Sequence, residues 1–235
     1  MDALRAEIVA RGFALVAGAK MRPLIAWSGG LADWERFAAS WSDLELDIHL
    51  PDGHRYRRRR HATLSAPAGE TRPTVEKHQP HYQGLEYNRL VGGVERWFEP
   101  IRPEILAGAT LNDILSFCLR LYGPLRPAAN WHIECHQFRI EARRDAAGLP
   151  TPEGVHRDGV DYVLVLLVDR TNIASGTTTV HALDGTTLGD FTLARPFDSA
   201  LVDDSRVMHG VTAVQPLDPT QPAYRDVLVV TLKAR

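Results

Sequence analysis

The stretch VHRDGVDYVLVLLV, residues 155–168, sets His156 and Asp158 one residue apart, directly ahead of one of the most apolar runs in the chain. The run has the length and the Val and Leu content of a buried strand. A carboxylate beside an imidazole at the mouth of such a strand loses hydration, which is costly unless something pairs with it. Either the pair lies on a solvated edge or it holds something.

Outward from that run, the C-terminal half consists of short apolar segments divided by Gly, Pro and Asp clusters. Strands are expected near 131–141, 160–168, 177–183, 188–193, 199–203, 209–214 and 225–233, the spacing of a sandwich or barrel such as a jelly roll. The N-terminal part reads differently. MDALRAEIVARGF carries Leu4, Ile8 and Val9 at helical spacing with Gly12 as a stop, and LADWERFAASW repeats the pattern. LDIHLPDGHRYRRRRHATLS predicts two strands joined through Pro51-Asp52-Gly53. Residues 65–82 carry Pro67, Pro73 and Pro80 and read as a long loop. The clearest helix is TLNDILSFCLRLYG, capped by Thr110 and closed by Gly123-Pro124. Helices ahead of strands give an α+β protein, a single domain over 1–235. A helical and hairpin part, residues 1–125, packs on one face of a jelly-roll core, residues 131–235.

A chain of 235 residues, 44% hydrophobic and 24% charged, can bury a sizeable core. Its net charge of −2 supplies no general attraction to nucleic acid or to an anionic membrane. Cys118 and Cys135 are too few for a disulfide framework or a zinc ribbon, and fit a reducing compartment. No signal peptide or membrane-spanning run is legible, so the expected location is the cytoplasm. An exposed edge strand or helical face is compatible with a homodimer.

Residues i and i+2 on a strand share a face, so the side chains of His156 and Asp158 converge. His209, in SRVMHGVTAV, heads a later apolar run and completes two imidazoles and one carboxylate, the facial arrangement of non-haem iron(II) oxygenases. Arg225 opens RDVLVVTLKA, where Arg225, Val227, Val229 and Thr231 share a face; an Arg at the head of an apolar row suits a bidentate grip on a carboxylate. A surface pair, a turn histidine and a strand-edge arginine would give the same letters one at a time. The four in order, each at the head of a predicted strand, favour a site.

The order His-x-Asp, a long gap, His, then Arg resembles the double-stranded β-helix, or cupin-like, 2-oxoglutarate/Fe(II) dioxygenases. LPDGHRYRRRRHATL, EYNRLVGGVERWFEPI, CHQFRI, EGVHRDGVDYVLVLLVDRTNI and VMHGVTAV are similar to the small bacterial branch that includes L-isoleucine hydroxylase and the biofilm-stress-and-motility proteins. The resemblance spans residues 45–233. It implies Fe(II) held by His156, Asp158 and His209, with 2-oxoglutarate as co-substrate bound by Arg225 and Gln137. It also implies dioxygen as oxidant and hydroxylation or sulfoxidation of a free aliphatic or sulfur-containing L-amino acid. Arg139, Asn88, Arg96 and Thr178 are the candidate substrate contacts, although a cross-strand ion pair would equally occupy Arg139. One departure is visible: NIASGTTTV has Ala-Ser-Gly where this branch is expected to carry a Gly-Gly pair, a place that adjoins the pocket.

Two other readings keep the same residues: a metal-dependent hydrolase or isomerase using the His-Asp-His site, and a non-catalytic 2-oxoglutarate sensor. The first has no need of Arg225, and the second is expected to have lost a ligand. The run RYRRRR, Arg55 to Arg60, alternates between two faces of a strand and is read as a charged edge strand rather than a nucleic-acid patch. His132, His136 and His181 are expected as core or surface histidines, and His78 and His81 as exposed in the proline-rich loop.

Overall fold

The computed structural model describes residues 1–26, 29–50 and 56–235. The helices are α1 (Asp2–Arg11), α2 (Gly18–Ile25), α3 (Trp34–Ala39), α4 (Pro103–Leu106) and α5 (Ala109–Tyr122). The strands of the first half are β1 (Phe13–Val16), β2 (Glu45–Leu46), β3 (Arg57–Ala66) and β4 (Thr74–Val75). They are followed by β5 (Trp131–Ala142), β6 (Tyr162–Thr171), β7 (Ile173–Ser175), β8 (Thr177–Ala182) and β9 (Thr187–Thr192). The last are β10 (Ser199–Asp203), β11 (Val207–Val211), β12 (Val214–Pro216) and β13 (Ala223–Ala234).

An antiparallel sheet runs β1-β10-β6-β13-β5-β3-β2, with β4 paired to β3; β11-β8-β9 form a smaller sheet and β12-β7 a ribbon. This is the expected α+β jelly roll. The apolar runs on β6 and β13 are explained by burial on both faces. Leu164, Leu166, Leu228, Val230 and Leu232 pack in one core cluster with the helices. Val163, Val165, Val227 and Val229, one residue out of phase, line a cavity of about 830 Å³ that also takes in residues of the small sheet.

Helix α5 buries Leu111, Ile114, Leu115, Cys118 and Leu119 in that helical layer. Its Tyr122 hydroxyl donates to the Val163 carbonyl at 2.9 Å. The helix starts one residue before Thr110, and its first turn is capped from outside: Asp33 Oδ1 accepts from Thr110 N at 2.7 Å.

The arginine run departs from expectation. Strand β3 lies inside the large sheet, between β5 and β2, rather than at its edge. Its side chains alternate as predicted, but both sets are in use. Arg58 pairs with Glu141, and Arg60 donates to the Asp43 and Pro100 carbonyls. Arg57 and Arg59 face the cavity, where the buried Asp47 takes Arg57 through Nε at 2.8 Å and Nη2 at 2.7 Å. The turn Pro51-Asp52-Gly53 lies outside the described residues.

Candidate active site

His156 and Asp158 stand on the connection into β6, which begins at Tyr162, and not on the strand itself. An isolated antiparallel bridge fixes them. His156 N donates to the His209 carbonyl and His209 N to the His156 carbonyl, both at 2.9 Å. Directly opposed residues of such a pair project to the same side, and the two rings stand 4.8 Å apart. The chain then turns at Gly159, whose φ of 81° favours glycine and where a Cβ would come within 2.5 Å of the Tyr87 ring.

One ligand-type atom from each of His156, Asp158 and His209 lies within 4.8 Å of the others. His156 Nε2 is 3.4 Å from Asp158 Oδ1, and His209 Nε2 is 3.8 Å from Asp158 Oδ2. His156 Nδ1 lies 3.0 Å from the Gly154 carbonyl. That contact places the proton on Nδ1 and turns the Nε2 lone pair inward. Burial disfavours a charged His156, but the Asp158 carboxylate outweighs it and pushes the imidazole up to about 9. Burial, helped by the neighbouring His156, brings His209 down to about 4. The donor set suits a divalent transition metal, which would take the place of the proton on His156 Nε2: two imidazole nitrogens and a carboxylate on one side of an open cavity.

Asp204, unremarked in the sequence, holds this segment in place. Its Oδ1 accepts from Asp158 N at 2.9 Å, and its Oδ2 accepts from Gly159 N at 2.8 Å and Val160 N at 3.2 Å. Burial and the Asp158 charge push Asp204 up to about 7, against the pull of those three amides. On the other side Gln83 Nε2 donates to the Asp158 carbonyl at 3.2 Å, and Gln83 Oε1 accepts from Asn88 Nδ2 and Arg96 Nη2.

Arg225 lies on the cavity floor, 2% exposed, with neither Nε nor Nη2 hydrogen-bonded among the described residues. Burial, with Arg170 nearby, pulls its guanidinium down to about 10. Buried donors without partners fit an anion that completes them. The neighbouring turn explains the Ala-Ser-Gly departure in part. Ser175 and Gly176 both take left-handed backbone, φ 61° and 73°, the conformation a glycine pair would supply without strain. At Gly176 a Cβ would meet Val214 Cγ1 at 2.9 Å and Arg170 Nη1 at 3.2 Å, so this glycine also makes room beside Arg225.

Two expected contacts do not reach the cavity. Strand β5 presents His132, Glu134, His136, Phe138 and Ile140 to it. Gln137 and Arg139 project from the opposite face. Gln137 Nε2 donates to Ser40 Oγ at 2.8 Å, under the helical layer. Arg139 grips Asp226 with Nε at 2.8 Å and Nη2 at 2.6 Å, the cross-strand ion pair foreseen as its other reading. Thr178 and Arg96 are buried and line the cavity. Asn88 also lines it, but its Oδ1 accepts from Leu90 N and Val91 N and shapes the loop below the mouth. His81 is largely buried as well, with Nδ1 2.8 Å from Glu134 Oε2, and His136 lies beside it. The signal for this cluster was present as His-x-Glu-x-His at 132–136, three residues of one strand face.

Among the described residues no helix is long and apolar enough to cross a membrane. The sequence profile of the 2OG-Fe dioxygenase family matches residues 38–231. The crystal structure of a bsmA homolog from Methylobium petroleophilum superposes with a TM-score of 0.85 at 35% identity, over 99% of this chain and 92% of that one. A 3(1)-hydroxy-L-isoleucine 4-dioxygenase of Pantoea ananatis is 25% identical over 86% of this chain and 82% of its own length. An L-isoleucine-4-hydroxylase of Bacillus thuringiensis is 26% identical over 67% of this chain and 66% of its own. The chain belongs to the 2OG-Fe dioxygenase family, an enzyme that works with Fe(II) and 2-oxoglutarate.

Proposed function

We propose that residues 1–235 act as one dioxygenase unit that hydroxylates, or sulfoxidises, a free aliphatic or sulfur-containing L-amino acid. His156, Asp158 and His209 would hold the iron, and Arg225 the distal carboxylate of 2-oxoglutarate. The observation that carries this reading is the convergence of two Nε2 atoms and a carboxylate in the cavity that also contains the open donors of Arg225. A metallohydrolase has no use for those donors.

Bound there, iron and 2-oxoglutarate supply the activation of dioxygen, with succinate and CO₂ as co-products. The protein's own part is position and dryness. Asp204 and Gln83 hold the backbone of Asp158 from two sides. The Gly154 carbonyl sets the His156 tautomer. Val163, Val165, Val227 and Val229 form an apolar wall that keeps water from the reacting carbon. The amino-acid substrate is supported by the activities named for the Pantoea and Bacillus relatives, and by a cavity of the size used for small ligands. Arg96 and Thr178 fit as its polar contacts.

The test is succinate formation by the purified chain with Fe(II), 2-oxoglutarate and air across a panel of free L-amino acids. Succinate should rise above the substrate-free rate with isoleucine, leucine, methionine or a close neighbour. A panel that leaves the rate unchanged throughout would overturn the amino-acid reading.

A further inference from the structure

The cavity floor is divided lengthwise. Strand register sets Arg57, Ile140 and Arg225 in one row across β3, β5 and β13, sets Arg59, Phe138 and Val227 in another, and pairs Glu134 with Thr231. The β13–β6 half is apolar between Arg225 at one end and Thr231 and Lys233 at the other, whereas the β3–β5 half carries Arg57, Arg59, His132, His136 and Glu134. Asp47 Oδ2 already takes both Nε and Nη2 of Arg57 and lies 3.8 Å from Arg59 Nη1, too far for a hydrogen bond. The other charges on this half are incompletely met.

Glu134 stands among imidazoles. His81 Nδ1 is 2.8 Å from its Oε2 and His136 Nε2 is 3.5 Å from it, while His61 Nε2 lies 3.4 Å from Oε1. Only the His81 contact has hydrogen-bond geometry, so the carboxylate retains acceptor capacity. Burial works to raise its pKa, but the surrounding imidazoles prevail and hold it well below the usual carboxylate range. Arg59, 3% exposed, stacks 3.6 Å over the Phe98 ring and hydrogen-bonds through Nη2 to His136 Nδ1 at 2.7 Å. Arg96, 2% exposed, faces the same ring at 5.9 Å. The Nε of each has no partner among the described residues.

His61, His81, Glu134 and His136 also lie close enough together to share a metal ion. The Arg59 contact argues against that. A guanidinium only donates, so His136 Nδ1 is the acceptor and its Nε2 carries the proton that faces Glu134. A protonated Nε2 is no ligand, which takes His136 out of the metal-binding set. What fits instead is a ligand with an anion and a cation on neighbouring atoms. One imidazole ring separates Arg59 from Glu134, a gap that an ammonium–carboxylate head group can bridge.

We propose that the β3–β5 half of the floor is a zwitterion subsite, in which Glu134 accepts from the α-ammonium of the substrate and Arg59 with Arg96 bind its α-carboxylate. The substrate side chain then lies over the apolar half of the floor. This deepens the amino-acid reading and rests on it.

The experiment compares L-isoleucine with 3-methylpentanoate, which lacks the ammonium, and 2-methylbutylamine, which lacks the carboxylate. The enzyme is loaded with Fe(II) and 2-oxoglutarate, anaerobically for binding by calorimetry and in air for succinate. In Glu134→Gln, preference for L-isoleucine over 3-methylpentanoate should fall by about 30–100-fold, the loss expected for a buried charge-assisted contact. In Arg96→Gln, preference over 2-methylbutylamine should fall comparably. The visible band of the iron–2-oxoglutarate chelate should persist in both variants, which shows folded, loaded protein. Equal losses for the full and truncated compounds, or a second equivalent of metal bound in a His81-dependent way, would overturn the subsite. If Glu134→Gln does not fold, the Arg96→Gln comparison decides alone. A wild-type chain that binds and turns over no amino acid would instead overturn the proposed function, a different result from one that uses isoleucine with Glu134→Gln unimpaired.

Discussion

Asp204→Asn replaces one oxygen by an amide nitrogen and removes two of the three hydrogen bonds that Asp204 makes to the metal-site segment. Asparagine can still accept from Asp158 N with its oxygen. Its amide nitrogen then faces Gly159 N and Val160 N, donor against donor, where Asp204 Oδ2 accepts at 2.8 Å and 3.2 Å. Two hydrogen bonds to a charged acceptor amount to about 3–6 kcal/mol at most. Relief of a buried carboxylate beside Asp158 returns part of this, leaving a net loss of roughly 2–3 kcal/mol. The loss falls on the backbone that carries Asp158, so Fe(II) affinity should drop about 10–100-fold, as for other groups that orient metal ligands. A domain of this size should also melt about 4–12 °C lower. Anaerobic Fe(II) titration in the presence of 2-oxoglutarate, followed through the visible chelate band, measures the first effect, and calorimetry the second. An iron affinity equal to that of the wild type would refute the reasoning, whatever happens to the melting temperature.

Other outcomes follow from the same geometry. Arg225→Gln should raise the KM for 2-oxoglutarate by about 10–100-fold through loss of a charged, forked donor, with Fe(II) affinity measured by titration nearly unchanged. Arg139→Ala should cost about 2–4 kcal/mol in denaturant unfolding, because it strands the buried Asp226 carboxylate, and should leave amino-acid KM untouched; a raised KM at full stability would restore Arg139 as a substrate contact. Ser175→Gly should stabilise the chain by about 0.5–1 kcal/mol, relief of left-handed strain outweighing the added flexibility of glycine; a lower melting temperature would contradict this.

The parts of the fold that could be read from sequence were those with local causes. Turn residues divide the C-terminal half, so the observed β5, β8, β9, β10 and β13 fall close to the expected spans. The His156–Asp158 spacing and the two later residues, His209 and Arg225, could be read because each stands beside an apolar run. Which face of β5 meets the cavity could not. That strand is polar on both sides, with His132, Glu134 and His136 on one and Gln137 and Arg139 on the other, and alternation alone does not say which set is inside. The arginines of β3 were misplaced for a related reason. Charge on a strand usually marks an edge, but here Arg57 and Arg59 line a cavity, and Asp47, ten residues before Arg57, holds Arg57 there. Asp204 left no trace, since a carboxylate that binds three amides of a distant loop has no spacing rule.

His156, Asp158 and His209 are proposed to form the iron site that 2-oxoglutarate completes. The most direct measurement is the visible spectrum of anaerobic protein with Fe(II) and 2-oxoglutarate, taken for the wild type and for His156→Ala. A charge-transfer band that depends on both additions should be present in the wild type and absent in His156→Ala, while a thermal melt shows the variant folded. A band of equal strength in folded His156→Ala, or none in iron-loaded wild type, would contradict it.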